Sequence, residues 1–236
     1  MTKNYLIVGG SSGIGLALAQ MLNSEGHQVW VASREYKSEL AQISGIHHIV
    51  WDVQMPLSGQ FDTLPEILHG VVYCPGTINL KPFHRLTREE FQQDLNVNLL
   101  GAIDTLQNTF KHLKNAKGAS VVLFSTVAST LGMNFHSSIA TAKSAIEGLA
   151  KSLAAEWANS FIRVNVIAPS LTDTPLASKL LAGEEKKEAA GKRHPLGRVG
   201  TAQDIAEMAN FLLSEKTSWI TGQIIGVDGG MGTLKL

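Results

Sequence analysis

Short apolar runs alternate with longer amphipathic segments along most of the chain. The apolar runs predict buried parallel strands at 5–8, 28–33, 46–52, 70–73, 119–125, 162–168 and 223–227. Helical spacing and capping patterns predict connecting helices at 16–22, 87–114, 137–159 and 201–214. Because strands alternate with helices and no hairpin signal joins two strands, the pattern predicts an α/β fold with a doubly wound parallel sheet of about seven strands.

Residues 171–197 interrupt this alternation with a long irregular stretch that contains the charged segment 183–188. Such an insertion near the end of an α/β fold predicts a mobile lid over a binding site. The stretch also contains leucines that suit a partly apolar substrate, namely Leu171, Leu176, Leu180 and Leu181. No internal repeat or linker divides the chain, so one domain is expected to span residues 1–236.

Charge and composition exclude several classes of partner. The chain has 20 Lys and Arg residues and 20 Asp and Glu residues, so no basic field favours nucleic acid. No apolar run suits a bilayer span and no signal peptide precedes the first strand, which predicts a cytoplasmic protein without a membrane partner. A single cysteine, Cys74, excludes an internal disulfide framework and fits a reducing compartment. The histidines show no metal-ligand spacing, so no metal site is expected.

A glycine cluster between the first strand and the first helix carries a chemical signal. Its glycines form a G-x-x-x-G-x-G motif, one residue wider than the G-x-G-x-x-G of most dinucleotide-binding folds. Such a turn lets the backbone approach a pyrophosphate, toward which the next helix aims unpaired N–H groups and its positive dipole end. A tight turn without a ligand is the alternative. The motif favours a Rossmann fold with a cofactor-binding turn formed by Gly9, Ser11, Ser12, Gly13, Ile14 and Gly15.

Further segments, in the right order along the chain, resemble the short-chain dehydrogenase/reductase family over essentially the whole length. They are Asp52 after the third strand, Asn98 in 97–101, Lys143 at the start of Lys-Ser-Ala-Ile-Glu-Gly, 163–174, 195–200 and 219–230. The resemblance implies hydride transfer between a nicotinamide and a carbonyl or alcohol carbon. It also implies cofactor contacts beyond the glycine turn, at Asp52, Val53, Lys143, Pro169, Thr172 and Thr174.

Two of the catalytic positions that the resemblance implies differ from the family, and one of the two differences removes a proton donor. The family uses a tyrosine to exchange the substrate proton, a lysine four residues later, and a serine thirteen residues before the tyrosine. Counting back from Lys143 places Ile139 at the tyrosine position and Thr126 at the serine position. Ile139 cannot donate a proton, which leaves Asn98, Thr126 and Lys143. His136, one turn before Ile139, is either a replacement proton donor or a surface loop histidine.

The end of the second strand favours NADP(H) over NAD(H). NAD-preferring members of the family place an acidic residue there to bind both ribose hydroxyls. This chain instead has Ser33 and Arg34 at the end of the strand, and the first carboxylate after the strand is Glu35. A small residue followed by arginine suits the 2′-phosphate of NADP(H), although an exposed arginine without a ligand is the alternative.

Two functional classes therefore stay open. One is an NADP(H)-dependent oxidoreductase of a carbonyl or alcohol substrate with an atypical proton donor. The other is a cofactor-binding pseudoenzyme with a structural or regulatory role. By analogy with the family we expect a homotetramer or homodimer, in which the helices 87–114 and 137–159 pair with their symmetry mates.

Overall fold

Seven parallel strands form the central sheet of the protein, whose computed structural model describes residues 1–235. Together with two short strands outside this sheet, the strands of the described residues are β1 (Asn4–Val8), β2 (Gln28–Ser33), β3 (Ile46–Val50), β4 (Gly70–Tyr73), β5 (Ala119–Phe124), β6 (Ile162–Pro169), β7 (Thr172–Asp173), β8 (Gly200–Thr201) and β9 (Ile224–Val227). The sheet has the order β3-β2-β1-β4-β5-β6-β9, and β7 and β8 form a separate parallel pair. The predicted doubly wound parallel sheet is confirmed.

Helices cover both faces of the sheet. They are α1 (Gly13–Ser24), α2 (Ser38–Ala41), α3 (Arg88–Leu95), α4 (Gly101–Asn115), α5 (Ser137–Trp157), α6 (Glu184–Gly191) and α7 (Ala202–Leu213). Successive strand residues point to opposite faces, so Ile7 joins one core with Leu18 and Ile205, and Leu6 joins the other with Leu106. Because both faces are buried, the strands read as continuous apolar runs.

The strand order reverses beside β1, which has β2 on one side and β4 on the other. The connections that follow β1 and β4 therefore diverge to opposite faces and open a crevice at the carboxyl ends of the strands. The strand predicted at 46–52 ends at Val50, and Trp51 and Asp52 leave the sheet at this edge. The helix predicted from Leu16 begins three residues earlier, because the glycine turn continues directly into it.

A π-helical segment, Asn96–Leu100, divides the helix predicted at 87–114 into α3 and α4. The hydroxyl of Tyr73 donates a hydrogen bond of 2.5 Å to the carbonyl of Val97, which ties the end of β4 to this segment. π-helical segments are frequent at functional sites. This one contains Asn98, a predicted site residue.

The stretch 171–197, predicted to be irregular, contains α6 and joins the small sheet through the pairing of Thr172 with Gly200. Its buried apolar residues Ala177, Leu181 and Ala190 form a separate cluster with Val199, which follows the stretch. Its mobility as a lid stays a prediction. Among the helices of residues 1–235, none has the length and apolar character that crossing a membrane requires.

Candidate active site

Two adjoining cavities open at the carboxyl ends of the strands. One, which we call the groove, has a volume of about 470 Å³ and runs from the glycine turn to the end of β3. The other, which we call the pocket, has a volume of about 520 Å³ and lies between α5 and the stretch 171–197. The cavities are contiguous because they share the wall residues Ile14, Cys74, Gly76, Thr77, Thr174 and Leu176.

The glycine turn forms one end of the groove. Gly13 has φ +53°, a conformation that glycine adopts without strain. A Cβ on Gly15 would lie 2.5 Å from the carbonyl oxygen of Gly9, so only glycine lets α1 pack this closely on the turn. Ser12 precedes α1 without a side-chain capping bond, and no acidic side chain occupies the first turn. The first N–H groups of α1 are therefore free to bind an anion in the groove.

Most of the predicted cofactor residues line the groove. They are Gly9, Ser11, Ser12, Gly13, Ile14, Gly15, Ser33, Arg34, Asp52, Val53 and Thr174. At its far end the exposed side chain of Arg34 is joined by Lys37, which the sequence interpretation did not include. The hydroxyl of Ser33 donates to the carbonyl of Glu35 at 2.9 Å and bonds His48 at 2.8 Å. The two cations are therefore the groups at this end that suit a phosphate.

The pocket brings together four of the five predicted catalytic positions and the remaining cofactor residues. They are Thr126, His136, Ile139, Lys143, Pro169 and Thr172. Much of the remaining wall is apolar, and no carboxylate lines the pocket within residues 1–235. Besides His136 and the Cys74 thiol, the chargeable groups of the pocket are cations, namely Lys143, Lys186 and Arg193.

Two polar groups face the pocket beside Ile139, whose side chain is buried in its wall. The Thr126 oxygen accepts a hydrogen bond of 3.3 Å from the N–H of Ala128, so its own hydroxyl hydrogen stays available. The Nδ1 of His136 lies 2.7 Å from the carbonyl of Asn134. Because a carbonyl only accepts, Nδ1 carries the proton in this bond and Nε2 is the nitrogen left for a ligand.

Lys143 is buried at the junction of the pocket and the sheet. Its Nζ donates a hydrogen bond of 2.9 Å to the carbonyl of Phe124. Burial lowers its pKa from 10.5 to about 8, and the ionisable groups of Cys74 and Asp94 act in the opposite direction. The ammonium is therefore held in an environment that makes its proton easier to lose than that of an exposed lysine.

Asn98 is the one predicted catalytic residue that lines neither cavity. Its side chain is fully buried behind Gly76, and its Nδ2 donates to Thr77 at 2.9 Å and to the backbone carbonyl of Asp94 at 2.8 Å. A Cβ on Gly76 would lie 3.4 Å from the Asn98 oxygen and 3.7 Å from the Nζ of Lys143. The amide and the ammonium therefore approach the same point from two sides.

Some residues of the site carry no recognisable signal in the sequence. Thr77 and Asp94 hold Asn98, and Lys37 extends the charged end of the groove. The hydroxyl of Ser170, on the pocket wall, lies 2.9 Å from the Nε2 of the buried His194. Of these residues, only Lys37 could have been noticed in the sequence, as a second cation three residues after Arg34. The other contacts join distant segments.

Comparison with known proteins identifies the family. Residues 8–232 match the family model described as enoyl-(acyl carrier protein) reductase. The chain is 36% identical over 242 residues to a tropinone reductase homolog of Arabidopsis thaliana, covering 97% of this chain and 92% of that protein. It is 31% identical over 235 residues to the 3-oxoacyl-[acyl-carrier-protein] reductase MabA of Mycobacterium tuberculosis, covering 98% of this chain and 94% of that protein.

A solved structure extends this likeness to three dimensions. A short-chain type dehydrogenase/reductase from Mycobacterium ulcerans superposes with a TM-score of 0.88 at 29% identity, covering 98% of this chain and 90% of that chain. The likeness therefore includes the sheet, the glycine turn and the stretch over the pocket. Together with the family match, it shows that this chain belongs to the short-chain dehydrogenase/reductase family of oxidoreductases.

Proposed function

We propose that the protein is an NADP(H)-dependent oxidoreductase that acts on a carbonyl or alcohol substrate with an atypical proton donor. The observation that carries the proposal is the continuity of the groove with the pocket, where Thr126, His136 and Lys143 meet. A nucleotide in the groove would extend its reactive end into an apolar space that suits a partly apolar substrate.

The residues of the groove fit a dinucleotide phosphate. The free N–H groups of α1 suit the pyrophosphate, and Arg34 with Lys37 suits a 2′-phosphate. We assign the adenine to Asp52 and Val53, the nicotinamide ribose to Lys143, and the nicotinamide to the Pro169, Thr172 and Thr174 wall. When bound, the nicotinamide supplies or accepts the hydride. NAD(H) is the alternative cofactor.

Proton transfer to the substrate oxygen is the step in which this chain differs from its family. We assign Ile139 to the position at which the family has its tyrosine, so no phenol is available there. The Thr126 hydroxyl is free to donate to a substrate oxygen and polarise the carbonyl. In its imidazolium form, with Nδ1–H still bonded to the carbonyl of Asn134, His136 then supplies from Nε2 the proton that the oxygen needs as hydride arrives at carbon, because an alkoxide is unstable in an apolar pocket.

Two features of the architecture are proposed with this function. The stretch 171–197 would move as a lid over the pocket. The chain would assemble as a homotetramer or homodimer through α4 and α5, because Ser144 and Gly148 leave an exposed stripe of small residues on α5 that permits close helix approach. The cytoplasmic location stays a prediction from the single cysteine.

Binding and turnover measured separately on the full chain test the proposal. Binding of NADPH should change the fluorescence of the mixture of protein and cofactor. The absorbance of NADPH should fall slowly when a panel of apolar ketones is added, because the ketones oxidise it. Binding without any turnover of the panel in either direction would favour the pseudoenzyme. Absence of binding to either nicotinamide cofactor would contradict both.

A further inference from the structure

Asp94 on α3 is a buried acid to which the reaction proposed above gives no role. Only 2% of its surface is exposed. Its Oδ1 accepts a hydrogen bond of 2.6 Å from the Thr77 hydroxyl, and its Oδ2 is buried without a hydrogen-bond partner. A buried carboxylate is costly unless it interacts with a charge or with strong donors, so its presence behind the pocket needs a reason.

The hydrogen bonds around Asp94 have a fixed direction. The Nδ2 of Asn98 donates to the backbone carbonyl of Asp94, which can only accept, so the orientation of the Asn98 amide is determined. The same Nδ2 donates to the Thr77 oxygen, and Thr77 must therefore pass its single hydrogen to the Asp94 carboxylate. This leaves the Oδ1 of Asn98 as a buried acceptor without a partner, next to Gly76.

Lys143 is the cation that faces the Asn98 oxygen beside Gly76. Its Nζ is bonded to the carbonyl of Phe124, which leaves further N–H donors, and it borders Gly76 from the pocket side. Burial raises the pKa of the neighbouring Cys74 thiol to about 12, so the thiol is neutral at pH 7. The other chargeable groups of the pocket are His136, Lys186 and Arg193, none of them an acid. Glu147, one turn after Lys143 on α5, is an acid whose Oε1 accepts from the hydroxyls of Ser125 and Ser129. Asp94 is the acid linked to the Gly76 side of the lysine, through Thr77 and Asn98.

We propose that Asp94 is a positioning residue whose carboxylate keeps Lys143 protonated and, through Thr77, fixes Asn98 with its oxygen toward Gly76. Lys143 can then hold a ribose hydroxyl as a cation, and the Asn98 oxygen accepts from the ammonium or from a water beside it. The inference rests on the proposed role of Lys143 at the cofactor. It adds a charged group that lies outside both cavities and touches neither substrate nor cofactor.

The test measures the pKa of Lys143 in the ligand-free full chain. NMR signals of lysine labelled with ¹³C at Cε are recorded as a function of pH. The Lys143 signal is assigned by its loss in Lys143→Arg. Asp94→Asn keeps the size of the side chain and should lower the Lys143 pKa by about 1 unit or more. Glu89→Gln, which removes an exposed acid from the same helix, should leave it unchanged. Thr77→Ser retains the hydroxyl and should behave as the wild type.

An unchanged Lys143 pKa in folded Asp94→Asn would overturn the proposal. Where Asp94→Asn fails to fold, Asp94→Ser takes its place: it also removes the carboxylate and keeps a small polar side chain, and an unchanged Lys143 pKa would again overturn the proposal. A second readout is the pH at which NADPH affinity declines, which should shift downward in Asp94→Asn. A wild-type chain that binds no NADPH would refute the proposed function, while the lysine titration would still decide the role of Asp94.

Discussion

Ile139 lies one helical turn before Lys143 on α5, and both side chains line the same pocket. An aliphatic side chain therefore faces the space beside the lysine, where a phenol would be able to donate a proton. The two residues share one face of the helix because of their four-residue spacing. The arrangement separates cofactor binding, which the lysine can support, from proton transfer, which the isoleucine cannot.

Ile139→Tyr should raise the turnover of activated ketones with NADPH by at least about tenfold, because a positioned general acid contributes on the order of 10²–10⁴-fold. Ile139→Phe is the matched control, since it adds the ring without the hydroxyl. Steady-state kinetics with both variants measure the effect. Equal rates in the two variants would mean that the hydroxyl at this position does not reach the substrate.

His136→Ala should reduce the turnover of the wild-type chain by about 10²-fold or more while NADPH affinity stays the same, because the imidazole donates a proton and does not hold the cofactor. His84→Ala, at an exposed histidine away from the pocket, is the control. Undiminished turnover in His136→Ala would identify the histidine as a surface residue. Thr126, a water or the substrate itself would then have to supply the proton.

Arg34→Ala should weaken NADPH binding by roughly tenfold, which corresponds to the loss of one charged hydrogen bond of about 1.5 kcal/mol. NADH binding should be unaffected, and Lys37→Ala should show the same selectivity with a smaller loss. Fluorescence titration of both cofactors against wild type and variants measures the effect. Arg85→Ala, at another exposed arginine, controls for overall charge. Tighter binding of NADH than NADPH by the wild type would contradict the assignment.

Lys143→Met should change how stability depends on pH. Burial lowers the folded-state pKa of Lys143 from 10.5 to about 8, so the unfolded chain holds the proton to a higher pH than the folded chain. Burying the ammonium therefore lowers the free energy of unfolding below about pH 8. This loss disappears as pH rises from about 8 to about 10.5. The stability of the wild type relative to Lys143→Met should rise through this window.

Urea unfolding of the two proteins across this window supplies the measurement. The Cys74 thiol also titrates differently in the folded state and its pKa depends on the charge of Lys143, so both proteins carry Cys74→Ala in this comparison. A constant difference in unfolding free energy from neutral pH to about 10.5 would show that the lysine is not desolvated as the structure indicates.

Gly15→Ala should destabilise the protein by about 1–3 kcal/mol, as overpacking does in well-packed sites. The added Cβ would lie 2.5 Å from the Gly9 carbonyl oxygen and force α1 away from the turn. Cofactor affinity should fall as well, because the N–H groups of α1 move with the helix. Gly132→Ala is the control, since its Cβ would meet no atom within 4 Å. Denaturant midpoints that coincide for Gly15→Ala and the wild type would refute the prediction.

The sheet and the glycine turn follow from local patterns in the sequence. Strands such as β2 and β4 are continuous apolar runs because both faces of a parallel sheet are buried, and this pattern is local. Parallel strands bring their carboxyl ends to one edge of the sheet. The glycine turn, Arg34 and Asp52 each follow a predicted strand, so their meeting in one groove is a consequence of the strand pattern alone.

The surroundings of Lys143 and Asn98 depend instead on how distant segments pack. Thr77 and Asp94 are 17 residues apart, and they meet because α3 packs against the loop after β4. The π-helical segment was not predicted either, since the sequence continues an ordinary helical pattern through it. Short-range periodicity records which face of an element is buried. Hydrogen bonds between distant segments and the desolvation of a lysine arise only when the elements pack together, and those two effects set the chemistry of this site.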